Sequence, residues 1–127
     1  MRILLAEDVE LNQEIATAIL GDAGFQTEVA ENGKIAVEML EKSRPGYYQL
    51  VLMDVQMPIM NGYEAAKKIR KLGNRRLSSI PIIAMTANAF AEDEKEALDA
   101  GMNVHLAKPI DIDLLKKVIK QCIKKAP

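Results

Sequence analysis

Five short strand-like runs, separated by amphipathic stretches, restrict this chain to few folds, of which a parallel sheet covered by helices fits the alternation best. The runs are Ile3-Leu4-Leu5-Ala6, Thr27-Glu28-Val29-Ala30, Leu50-Val51-Leu52-Met53, Ile82-Ile83-Ala84-Met85 and Val104-His105-Leu106-Ala107. Helices are expected over roughly 11–23, 33–43, 62–72, 90–100 and 111–125. The last has the clearest period: Leu114, Leu115, Val118, Ile119, Cys122 and Ile123 recur at helical spacing, with lysines on the other face. Gly24, Gly73 and Gly101 follow the first, third and fourth helices, where a left-handed residue commonly ends a helix.

The runs are not equivalent. The first, third and fourth are wholly apolar, as strands covered on both faces must be. The second contains Glu28 and the fifth His105, which suits sheet edges. That placement is what a doubly wound α/β fold of strand order 2-1-3-4-5 requires, with five strands and five helices. Its switch point lies between strands 1 and 3, and ligands bind there beyond the carboxyl ends of the strands. With 127 residues, one domain over 1–127 is expected.

The residues at the end of each run carry the chemistry. Strand 1 runs into Glu7-Asp8, strand 3 into Asp54, strand 4 into Thr86 and strand 5 into Lys108-Pro109. In a parallel sheet these ends share one rim, so three carboxylates, a hydroxyl and an ammonium converge. Crowded carboxylates need a cation to remain ionised, and Mg²⁺ accepts hard oxygen ligands together with waters and phosphate. Lys108 and Thr86 could contact phosphoryl oxygens, and a carboxylate can itself accept a phosphoryl group. Taken singly, Glu7 and Asp8 could merely cap the first helix, and Lys108 could be a solvated surface lysine. Asp54 is harder to dismiss, because it ends a very apolar strand.

The segments Leu4-Leu5-Ala6-Glu7-Asp8, Met53-Asp54-Val55-Gln56-Met57-Pro58 with Asn61-Gly62, Met85-Thr86-Ala87-Asn88-Ala89 and Leu106-Ala107-Lys108-Pro109 together resemble the receiver (CheY-like) domain of two-component response regulators. The likeness spans the chain and implies a flavodoxin-like fold with the same strand order. It implies Asp54 as phosphoacceptor, with Mg²⁺ held by Asp8, Asp54, the backbone carbonyl of Gln56 and, mainly through water, Glu7. Thr86 and Lys108 would contact the phosphoryl oxygens, Thr86 and His105 would form the switch, and Pro109 would hold the turn that aims Lys108. Two positions depart from the family pattern: Glu7 stands where a second Asp is common, and His105 where Tyr or Phe is more usual.

The resemblance also implies the partner, a histidine kinase or a histidine phosphotransfer domain. Leu11 and Ile15, one turn apart on the first helix, and Ile110 are candidates for docking it, although core burial competes for Ile15. Glu10-Leu11-Asn12-Gln13 and Thr86-Ala87-Asn88-Ala89-Phe90 are most like receivers of hybrid histidine kinases; a stand-alone regulator is the alternative.

Other classes fit less well. For a phosphatase or transferase working through an aspartyl phosphate, the resemblance is to haloacid-dehalogenase-like enzymes and implies a second acid where Gln56 stands, and a flavodoxin-like cofactor binder would need a phosphate loop after strand 1. An interaction module that is never phosphorylated would have no need of the acidic site. Seventeen basic against eighteen acidic residues, with no Trp, leave no electrostatic or stacking footprint for nucleic acid. The apolar runs are too short to span a bilayer and no signal-peptide pattern opens the chain, so membrane insertion is not expected. A single cysteine, Cys122, excludes an internal disulfide and suits the cytoplasm.

Overall fold

The computed structural model describes residues 1–87, 91–108 and 111–125, with backbone alone for 91, 92 and 123–125. Its elements are β1 (Arg2–Ala6), α1 (Glu10–Asp22), β2 (Gln26–Ala30), α2 (Gly33–Lys42), β3 (Leu50–Asp54), α3 (Gly62–Arg70), α4 (Arg75–Ser78), β4 (Ile82–Thr86), α5 (Ala91–Asp99), β5 (Val104–Ala107) and α6 (Ile112–Lys125). The strands form one parallel sheet of order β2-β1-β3-β4-β5.

Alternation along the central strands builds two cores from runs that look uniformly apolar. Ile3, Leu5, Leu50, Leu52, Ile83 and Met85 face α1 and α6, meeting Leu20, Leu115 and Ile119. Leu4, Ala6, Val51, Met53, Ile82 and Ala84 face the other way, against Leu40 of α2, Ala65 and Ile69 of α3 and Ala97 of α5. Each fully buried Leu or Ile contributes about 2 kcal/mol of hydrophobic stabilisation. β3 and β4 are buried throughout, whereas β2 and β5 are only partly covered, as expected for edges. Glu28 is tolerated on β2 because the Tyr47 and Tyr48 hydroxyls donate to its carboxylate and Arg2 Nε lies 3.3 Å away.

Three expectations need correction. Among the described residues six helices form, not five: α4 is a single turn, capped by Asn74, whose side chain accepts from Arg76 and Leu77 N–H. One turn is too short to carry a periodic signal. Gly24 and Gly101 take positive φ, at 93° and 100°, but Gly73 does not, because α3 ends earlier, at Arg70 with Lys71 as its cap. Leu114 is largely exposed; the buried stripe of α6 runs through Leu115, Val118, Ile119 and Cys122.

Candidate functional site

The sheet register brings the strand ends level, pairing Ala6 with Met53, Asp54 with Met85 and Thr86 with Ala107. Asp54 and Thr86 are the last residues of β3 and β4, both buried, while Glu7 and Lys108 are the first residues beyond β1 and β5. Lys108 N–H donates to the Thr86 carbonyl at 2.7 Å, which fixes the start of the lysine's loop.

The acidic pair divides its work. Glu7 is 3% exposed and points inward. Its Oε2 accepts the Asp8 N–H at 3.0 Å, and its Oε1 lies 3.1 Å from Lys108 Nζ. Asp8 is exposed at the mouth. Neither acid caps α1, whose N-cap is Val9 without a side-chain hydrogen bond. The local fold instead holds Glu7 in place, with its N–H on the Ala30 carbonyl at 3.0 Å and its carbonyl accepting from Gln13 Nε2 at 2.6 Å.

Asp54 Oδ2 lies 3.1 Å from the same Lys108 Nζ, and Oδ1 accepts the Gln56 N–H at 3.3 Å. Burial pushes the Asp54 carboxyl up, to about 6, and its contact with Glu7 pushes the same way against Lys108. For Glu7 burial also pushes up, but the hydrogen bonds with Asp54 and Lys108 outweigh it and hold the carboxyl below its ordinary value. The two carboxyls thus titrate as a pair, with Asp54 the member that takes up a proton more readily. On Lys108 burial pulls down, yet the two carboxylates win and its ammonium is held above its ordinary value.

Carboxylate oxygens of Glu7, Asp8 and Asp54 all lie within 4.8 Å of one another. Three hard oxygens so close, two of them on buried groups, suit a small divalent cation, which would offset the burial and the Glu7 contact that push the Asp54 carboxyl up. A cleft of about 640 Å³ opens beside Asp8, lined also by Gln56, Asn61, Thr86, Tyr63 of α3 and Glu96 of α5.

The loop from Val55 to Asn61 forms one side of that cleft and is tightly held. A Cβ on Gly62 would lie 2.4 Å from the Asp54 carbonyl oxygen, so only glycine lets α3 start so close to the acceptor. Asn61 and Glu64 close a capping box at that start, legible as Asn-x-x-Glu but not singled out from the sequence. Within the loop Ile59 has φ 70°, a conformation that costs a β-branched residue about 1–3 kcal/mol.

On the opposite side, Leu11 is 63% and Ile15 50% exposed, so the core does not claim Ile15. A groove of about 350 Å³ runs beside them, lined by Ile15, Ile19, Met85 and Lys108 among others. His105 is partly buried on β5, and its Nε2 is buried without a hydrogen-bond partner among the described residues. Pro109 and Ile110, candidates for the turn and for docking, lie outside the described residues, as do Asn88, Ala89 and Phe90.

A sequence model of the response regulator receiver domain matches residues 3–120. The chain belongs to that family. The receiver is 38% identical to hybrid signal transduction histidine kinase K of Dictyostelium discoideum over 128 residues, covering 97% of the chain but 10% of the kinase. It thus spans about a tenth of the length of that relative. Among solved structures, the receiver domain of a sensor histidine kinase from Pseudomonas aeruginosa PAO1, with a magnesium ion coordinated in its active-site cleft, superposes at TM-score 0.84 and 36% identity, covering 98% of each chain. The co-crystal of the Saccharomyces cerevisiae histidine phosphotransfer signaling protein Ypd1 with the receiver domain of its response regulator Ssk1 matches at TM-score 0.83 and 31% identity, over 95% of this receiver and 87% of that chain. No described helix of this receiver is long and apolar enough to cross a membrane.

Proposed function

We propose that Asp54 accepts a phosphoryl group from a phosphohistidine of a histidine kinase or histidine phosphotransfer domain, in a Mg²⁺-dependent reaction within a phosphorelay. The observation that carries this reading is the placement of Asp54, buried next to the cleft that Asp8, Val55 and Thr86 line, with carboxylate oxygens of Glu7 and Asp8 within 4.8 Å and Lys108 Nζ at 3.1 Å. Glu7, Asp8, Asp54 and the Gln56 carbonyl would hold Mg²⁺, which when bound supplies positive charge to the phosphoryl oxygens. The magnesium ion in the Pseudomonas aeruginosa receiver supports that assignment.

An Asp54 carboxylate oxygen attacks phosphorus while the bond from phosphorus to the donor imidazole breaks, its electron pair returning to the ring nitrogen. Lys108 already contacts Asp54 and is placed to follow charge onto the transferred group. The Thr86 hydroxyl, on the next strand end, would donate to a phosphoryl oxygen and so draw the β4–α5 loop toward Asp54. His105 would answer that movement as the switch residue, less decisively than a bulkier Tyr or Phe. Leu11, Ile15 and Ile110 would seat the donor, with Pro109 aiming Lys108.

Residues 1–127 would form one domain, the receiver part of a longer cytoplasmic hybrid kinase, a reading supported by the match to the Dictyostelium kinase. The test is incubation with a phosphorylated histidine phosphotransfer protein carrying a radiolabelled phosphoryl group. Label should leave the donor and appear on wild-type chain but not on Asp54→Asn. Release of free phosphate with neither chain labelled, or label retained by the variant, would contradict the assignment.

A further inference from the structure

Among the described residues, Ile59 is the only non-glycine with positive φ. Of these described residues it is also the most exposed large apolar side chain, at 78%. Each property is unfavourable by itself. Left-handed backbone crowds a β-branched side chain, and an isolated exposed isoleucine adds little to any core. The Met60 N–H donates to the Pro58 carbonyl at 2.7 Å, closing a γ-turn centred on Ile59, which with φ 70° is the rare and strained form.

The surrounding loop imposes this geometry. The Gly33 N–H donates to the Met60 carbonyl at 3.2 Å, and a Cβ on Gly33 would come within 2.5 Å of that oxygen. Two residues on, the Gly62 N–H donates to the Val55 carbonyl at 2.9 Å. Clamped at both points, the loop cannot relax around residue 59. Glycine or asparagine would occupy the same turn with less strain. Among the described residues, neither core cluster includes the isoleucine side chain.

We infer that Ile59 is an apolar contact for the protein that delivers the phosphoryl group to Asp54, seated across the acceptor from Leu11 and Ile15. The inference rests on the proposed phosphoacceptor reading. The occupant is set by position. Ile59 lies five residues beyond Asp54, between Pro58 and Asn61, which line the cleft next to the acceptor. Any protein that brings a phosphohistidine in line with Asp54 must cover this rim. The loop leads into α3 on one face of the sheet, whereas Leu11 and Ile15 belong to α1 on the other. A donor helix resting on both would be held on either side of its reacting histidine, and two-sided seating restricts the approach angle.

Two variants separate side chain from turn. Ile59→Asn keeps a residue suited to left-handed backbone and removes the apolar surface, whereas Ile59→Leu keeps an apolar side chain without the β-branch. The donor is the phosphorylated histidine phosphotransfer protein, from a panel, that labels wild type fastest. Ile59→Asn should melt above wild type, accept from this donor about fivefold or more slowly, and be labelled by acetyl phosphate within about twofold of wild type. Ile59→Leu should accept from the protein donor within about twofold of wild type. Unchanged transfer to Ile59→Asn, or equal slowing with both donors, would overturn the proposal. So would self-association of wild type that Ile59→Asn abolishes, which would assign the residue to a second copy. A panel in which no donor labels wild type would overturn both this inference and the phosphohistidine half of the reading, while failure of acetyl phosphate to label wild-type Asp54 would remove the reading itself.

Discussion

Lys108 Nζ stands 3.1 Å from Asp54 Oδ2, and the same ammonium stands 3.1 Å from Glu7 Oε1. One cation therefore holds together two buried acids, one just beyond β1 and one at the end of β3. Lys108→Met should leave the pair facing each other unscreened and lower metal-free stability at pH 7 by about 1–3 kcal/mol, less than a wholly buried pair would lose because Lys108 is partly exposed. Denaturant titration at pH 7 and pH 5 checks this, and the deficit should shrink at pH 5, where the pair binds a proton more readily.

The Asp54 carboxyl is pushed up from 3.8 to about 6, first by burial and then by Glu7. A folded-state value above the unfolded one means that the folded chain binds more protons between those limits. The Asp54 contribution is thus fully present below about pH 4 and lost as pH rises through 6. Asp54→Asn removes that loss and should be more stable than wild type above pH 6, on the order of 1 kcal/mol, with the advantage fading toward pH 4. Glu7 works in the opposite sense, since its depressed value means a contribution lost as pH falls. Mg²⁺ should flatten the wild-type profile above pH 6, and melting temperature against pH with and without Mg²⁺ reads each of these effects.

Asp8 is exposed and supplies no cap to α1. Asp8→Ala should therefore keep metal-free stability within about 0.5 kcal/mol of wild type or raise it, since one repelling charge is removed. Phosphorylation by acetyl phosphate should be abolished. A melting temperature that falls by many degrees would make Asp8 a structural residue instead.

Arg70 ties three segments together. It donates to the carbonyls of Gly101 at 2.7 Å, Ser78 at 2.8 Å and Ile80 at 2.7 Å, and to Asn103 Oδ1 at 2.9 Å. Asn103 Oδ1 also accepts the Ile82 N–H at the start of β4, at 2.8 Å. Arg70→Met should cost about 2–4 kcal/mol in urea unfolding, because it strands several carbonyls. Arg70→Lys should recover only part of this, since an ammonium cannot reproduce the planar fork.

The legible parts of this molecule are those written in side-chain chemistry at fixed spacing. The edge places of β2 and β5 were legible from Glu28 and His105, which interrupt otherwise apolar strands, while the full order came partly from the resemblance to receivers; Glu7, Asp8, Asp54, Thr86 and Lys108 stood out because each follows or ends a strand on one rim. The illegible parts depend on backbone atoms. The Arg70 partners are mainly carbonyls, which every residue carries, so sequence offers no sign of them. The close approaches at Gly33 and Gly62 need coordinates to distinguish them from ordinary turn glycines. Ile59 was hidden for the opposite reason: its type argues against left-handed backbone, and only the clamped loop overrides that preference. Ile15 sits on an apolar-looking helix face, yet the groove beside it leaves it half exposed.

The most direct test of the account is intact-mass measurement after incubation with acetyl phosphate, on wild type and Asp54→Asn, with and without Mg²⁺. The account predicts a single phosphoryl adduct on wild type with Mg²⁺, none without it, and none on Asp54→Asn under either condition. An adduct of the same mass on Asp54→Asn, or on wild type stripped of divalent cations, would contradict it.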